Sequence, residues 1–168
     1  MIAMSEISQE SIAAVDALLG RPARGLRNIP VTDENGAPRV IQVASLVENK
    51  PFPTLFWLVD PVLNYRIDQL EARGLIAELQ QRIDESETLQ DSMRKDHEAH
   101  IALRNELMQA QDRSKLEQQG YFESLQKRGI GGIENFSRIR CLHTWYAAHL
   151  VAPNTVGRLL EPSLETST

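Results

Sequence analysis

The sequence predicts an α+β fold in which helices dominate: a small antiparallel β-hairpin or sheet packs against several helices, one of them a long helix or helical hairpin. Three observations predict it. Two short β-branched or apolar runs, residues 39–47 and 54–59, stand close together across a proline-interrupted connection. Residues 86–127 hold no proline and a single glycine, Gly120, and are dense in Glu, Gln, Lys and Arg. The 168 residues are 42% apolar and 24% charged, which is ordinary globular usage. A chain of this length buries roughly two thirds of its unfolded surface. We read one domain over residues 1–168, its core at about 8–160, with residues 1–7 and 162–168 frayed.

The elements follow in order. Ile12, Val15, Leu18 and Leu19 share one helical stripe, with Glu10 in the first turn and Gly20 past the end, so residues 8–19 form a short amphipathic helix. Residues 21–38, rich in Pro, Gly and Arg, form a loop that closes in the turn Asp33-Glu34-Asn35-Gly36. The runs 39–47 and 54–59 pair as strands. The first carries Gln42 and Ser45, while the second is apolar enough to be covered on both faces. Pro51 and Pro53 are expected to keep their connection out of any ladder.

Asp60-Pro61 starts a helix, because Asp60 can cap free N–H groups and Pro61 is preset for the first helical position. Leu63, Ile67 and Leu70 follow. Gly74 breaks the run, Leu75, Leu79 and Ile83 continue it, and a new start lies at residues 84–86. In residues 86–127 the apolar positions Leu89, Met93, Ile101, Leu107, Met108, Leu116 and Leu125 are interrupted by His97 and His100, so no sustained heptad seam forms. That stretch is either an exposed helix or a dimer-forming one. Residues 129–133 read as a flexible glycine loop, and residues 136–151 as the last core helix, stopped by Pro153.

A formal net charge of −5 argues against a broad grip on nucleic acid. The single Cys141 has no internal disulfide partner, no secretory leader is evident, and the longest apolar run, residues 55–59, is far short of the ~20 residues of a membrane span. The expectation is a cytoplasmic protein without membrane insertion.

Candidate chemistry centres first on Cys141, His143 and His149, since thiolate and imidazole are zinc ligands. On one continuous helix Cys141 and His143 would point about 200° apart, so they converge only if Cys141 lies in the entering loop. The bland alternative is a buried cysteine with hydrogen-bonded histidines. The second constellation is a scatter of arginines near glycines, with Arg21 and Arg24 by Gly20 and Gly25, and Arg140 after Gly131-Gly132. These could hold a small anion at a loop entering a helix, or be solvated surface cations. His97 and His100, at i and i+3, read more readily as a polar helix face than as ligands. No phosphate loop, dinucleotide fingerprint, nucleophile elbow or triad is present.

Taken together, Gly20-Arg21-Pro22-Ala23-Arg24-Gly25, Pro51-Phe52-Pro53-Thr54 with the strand into Asp60-Pro61, Leu70-Glu71-Ala72-Arg73-Gly74, His97-Glu98, Gly131-Gly132 and Arg140-Cys141-Leu142-His143 resemble an uncharacterised bacterial family, domain of unknown function 501. The resemblance spans about residues 20–157 and implies a bacterial cytoplasmic protein with no assigned activity. It also implies a metal set. Similar proteins carry cysteine in the turn matching Asp33 and at the position of Asp60, and those thiols with the Cys-x-His would make a zinc site. Carboxylates in their place bind zinc less tightly and suit a harder ion.

Three functional classes follow. The first is a small ligand- or metal-binding protein, its site gathering Asp33, Asp60, Cys141 and His143 around zinc or another divalent metal, with Arg24 and Arg140 nearby for an anionic ligand. The second is an interaction protein or homodimer using residues 86–127, which requires an exposed stripe of Leu89, Met93, Ile101 and Met108. The third is an enzyme acting on a phosphorylated substrate.

Overall fold

The computed structural model describes residues 6–166. The fold is α+β and dominated by helices. The first helix, α1 (Gln9–Leu19), is capped at its start by the Ser8 hydroxyl, which accepts from the Ser11 N–H, and closed by Gly20 at φ 69°.

Strands β1 (Leu26–Thr32), β2 (Pro38–Val43) and β5 (Phe56–Leu58) form an antiparallel sheet in the order β1-β2-β5. Val31 pairs with Val40, and Val40 in turn with Leu58. The expected pairing of the two runs is therefore present, but residues 26–32 of the expected loop 21–38 are strand β1. Pro30 is tolerated there because β1 is an edge strand, where a missing N–H breaks no ladder. A second correction concerns the connection. Strands β3 (Leu46–Val47) and β4 (Lys50–Pro51) make a small hairpin, turned by Glu48 and Asn49 at φ 51° and 63°. Pro51 joins this ladder at its margin instead of staying out.

The Asp60 carboxylate accepts from the N–H groups of Val62 and Leu63 to start α2 (Pro61–Ala72), and Gly74, at φ 92°, turns the chain into α3 (Leu75–Asp84). Ser86 caps α4 (Glu87–Leu107), which is followed by the shorter α5 (Ala110–Gln118) and α6 (Phe122–Leu125). The buried face of α4 is Met93, His97, His100 and Arg104. The expected polar face of histidines is thus turned inward. Of the stripe that the interaction reading requires, Met93 is fully buried and Leu89, Ile101 and Met108 are only partly exposed.

The glycine segment, expected to be loose, is a packed 3-10 turn (Ile130–Gly132). Its Ile130 N–H donates to His97 Nδ1 at 3.0 Å, and a Cβ on Gly129 would lie 2.1 Å from that nitrogen. Helix α7 (Leu142–Val151) starts six residues later than the predicted 136, because the Gln80 side chain takes the backbone instead: its amide donates to Ser137 O and accepts from Ile139 N–H, both at 2.8 Å. A further helix, α8 (Thr155–Thr166), was not expected. Asn154 Oδ1 accepts from the Gly157 N–H at 2.7 Å, and Val156, Leu160 and Leu164 are buried. Residues 162–166 are helical, not frayed, and residues 1–5 and 167–168 of the expected frayed ends lie outside the described residues.

The sheet separates two apolar clusters. Val40 and Phe56 face the main core of Trp145, Leu142, Ile67 and Leu160, whereas Ile41 and Val43 face a smaller cluster with Val15 of α1. No helix among the described residues is long and apolar enough to cross a membrane.

Candidate metal centre

The C-terminal half of α2 and the N-terminus of α7 meet at the site. Asp68 and Glu71 are one turn apart on α2 and so share a face. Cys141 is the N-cap of α7, with extended backbone at φ −151° and ψ 127°. It is therefore off the helix, and its Sγ lies 3.4 Å from His143 Nδ1. An entering-loop cysteine was the one condition under which the Cys-x-His pair could converge.

Glu71 joins them through both oxygens. Oε2 accepts the free N–H of Leu142 at 3.1 Å, a natural partner for the first turn of α7, and Oε1 is 3.3 Å from His143 Nδ1. The other imidazole nitrogen, Nε2, is 2.8 Å from Asp68 Oδ1. The ligating atoms of Glu71, Cys141 and His143 all lie within 4.8 Å of one another, and each of the three residues is partly buried.

The electrostatics follow from this geometry. His143 is raised to about 9, chiefly by its hydrogen bond with Cys141, against the effect of burial and with help from the charges of Cys141, Glu71 and Asp68. At Cys141 burial acts to raise the thiol pKa, but the hydrogen bond and charge of His143, with the backbone N–H groups of Thr144 and His143, outweigh it and the net shift is downward. Cys141 also lines a cavity of about 250 Å³ with Arg140, Gly131, Thr144 and Trp145. Gly131 is required there, since at φ 69° a Cβ would also lie 2.8 Å from Thr144 Oγ1.

The predicted residues divide. Cys141 and His143 come together, with Arg140 beside them. Asp33 lies in the β1–β2 turn, its carboxylate accepting from the N–H groups of Asn35 and Ala37. Asp60 caps α2 and pairs with Arg39 at 2.9 Å. Eleven residues of helix separate Asp60 from Glu71, about 16 Å at the helical rise, so the four-residue set does not share one ion. Arg21 and Arg24 line a different cavity, away from Arg140. His149 is held between Glu161, at 2.7 Å, and the Asn154 N–H. Sequence reasoning missed Glu71 and Asp68. The available signal was Glu71 itself, a carboxylate four residues after Ile67 on the buried stripe of α2.

A family model described as "Protein of unknown function (DUF501)" matches residues 29–161. The chain belongs to this family. No curated protein and no solved structure matches it. The DUF501 match covers Asp68, Glu71, Cys141 and His143, leaves out Arg21 and Arg24, and carries no activity with it.

Proposed function

We propose that this DUF501 protein binds one divalent metal ion, zinc fitting best, through Cys141 Sγ, His143 Nδ1 and Glu71 Oε1. The observation that carries this reading is the mutual spacing of the three atoms. Zinc bonds of about 2.3 Å to sulfur and 2.0–2.2 Å to nitrogen or oxygen, set tetrahedrally, separate ligand atoms by about 3.3–3.6 Å. The separations of 3.4 Å from Sγ to Nδ1 and 3.3 Å from Nδ1 to Oε1 need little adjustment, and the three ligand atoms all lie within 4.8 Å of one another. Asp68 supports the reading from outside. A carboxylate on Nε2 fixes the tautomer that leaves Nδ1 free to ligate, the usual arrangement behind a metal-bound histidine. Three protein ligands leave a fourth position, and the adjoining cavity with Arg140 suits water or a small anion there. A lone thiol is kept reduced in the cytoplasm, which is where we propose the protein works.

Cobalt(II) titration tests the assignment. One equivalent should give a thiolate-to-cobalt charge-transfer band that zinc displaces, and Cys141→Ser should abolish it. Cobalt binding without that band would refute the reading.

The lowered thiol pKa favours a second use of the same pair, as a thiolate–imidazolium nucleophile acting on a small anionic substrate. Alkylation separates the two. In a metal centre, zinc protects Cys141 from iodoacetamide, whereas a rapid rate that zinc leaves unchanged favours the nucleophile.

A further inference from the structure

On the sheet face away from the main helical core, a second cavity of about 250 Å³ opens between the end of α1, loop 21–25, β2 and the β3–β4 hairpin. Its apolar walls include Ala23, Ile41, Val43 and Val47, with the rings of Phe52 and Trp57 stacked at 5.7 Å between centroids. An apolar cavity of about 150 Å³ already accommodates benzene. This one therefore takes a molecule of about two rings, just below the ~300 Å³ of the smallest drug-sized clefts.

The arginines at its edge point to what would enter. Arg21 and Arg24 both line the cavity and are exposed. Arg24 is engaged by Glu48 at 2.6 Å, whereas Arg21 has no ion pair among the described residues.

We propose that this cavity binds a small, flat, largely apolar molecule carrying one anionic group. Its rings lie against Val43, Val47 and the Phe52–Trp57 stack, and its anion meets Arg21. The inference does not depend on the metal centre, whose residues belong to other elements.

The test uses the full chain and naphthalene-1-carboxylate as probe, followed by calorimetry and tryptophan fluorescence. Naphthalene-1-methanol and inorganic phosphate serve as the ring without charge and the charge without ring. The expected result is saturable binding of the carboxylate, about tenfold tighter than the alcohol, with phosphate not competing. Arg21→Ala, at an exposed position, should weaken it about tenfold. Val47→Phe, which fills the space, should abolish it with the fold intact by circular dichroism, and Trp57→Phe should remove the fluorescence response. Cys141→Ser should bind as the wild type does. No saturation at millimolar probe, or full affinity in Arg21→Ala, overturns the proposal.

Discussion

His143 is the residue on which the metal reading turns, because both of its nitrogens are committed. Nε2 meets Asp68 and Nδ1 faces two acceptors at once, Cys141 Sγ and Glu71 Oε1. A nitrogen facing a thiolate and a carboxylate is satisfied either by a proton or by a cation, so proton and metal compete for one place. Asp68 acts only through the imidazole. Asp68→Asn should therefore leave stoichiometry unchanged while zinc affinity falls about 10- to 100-fold by competition with a chromophoric chelator. A drop of the same size in thermal stability without zinc would mean that Asp68 is merely structural. Asp60 supplies the opposite case. Asp60→Ala removes a helix cap and the Arg39 pair, so it should cost about 1–2 kcal/mol in urea unfolding while metal binding is untouched.

At the scale of elements, α4 and its surroundings set the pH response. Burial holds His97 down to about 4, with a smaller opposing effect from the Phe136 backbone. Burial also holds His100 down to about 3, with Arg104 and His97 adding to it. Both histidines are neutral in the folded protein where the unfolded chain, titrating near 6.5, already takes up protons. Stability is therefore unaffected by them above about pH 6.5 and falls as pH drops from there toward 4 and then 3. Each contributes a slope approaching about 1.4 kcal/mol per pH unit. Urea midpoints measured from pH 7 to 4.5 check this, and His100→Leu should flatten the slope. Arg104 binds the same region together: its guanidinium donates to the carbonyls of Pro53 at 3.1 Å, Arg128 at 2.8 Å and Leu125. Arg104→Met should cost about 3 kcal/mol, and Arg104→Lys should not rescue it, because an ammonium cannot span that fork. None of this was legible from the sequence. Met93, His97, His100 and Arg104 have helical core spacing, but a pattern scored on apolar residues alone passes over three of the four. Helix α8 was hidden behind Pro153 and Pro162, although Val156, Leu160 and Leu164 carry its stripe.

At the scale of the molecule, local signals carried the architecture where backbone chemistry is decided by neighbours in the chain. Ser8 and Gly20 bound α1, Asp60-Pro61 starts α2, and Gly74 divides α2 from α3. What escaped depends on distant partners: β1 exists because β2 offers its edge, and α7 begins late because Gln80 reaches across to residues 137 and 139. The site divides in the same way. Cys141 and His143 are two residues apart and were found together, whereas Glu71, seventy residues before Cys141, is brought in by the packing of α2 against α7. The most direct test of the metal reading is the metal content, by mass spectrometry, of untagged protein purified without chelators. Wild type and Asp60→Ala should each carry about one equivalent of zinc, and Cys141→Ser and His143→Ala almost none. Wild-type protein that neither carries metal nor takes it up on addition, or Cys141→Ser protein that keeps a full equivalent, would contradict it.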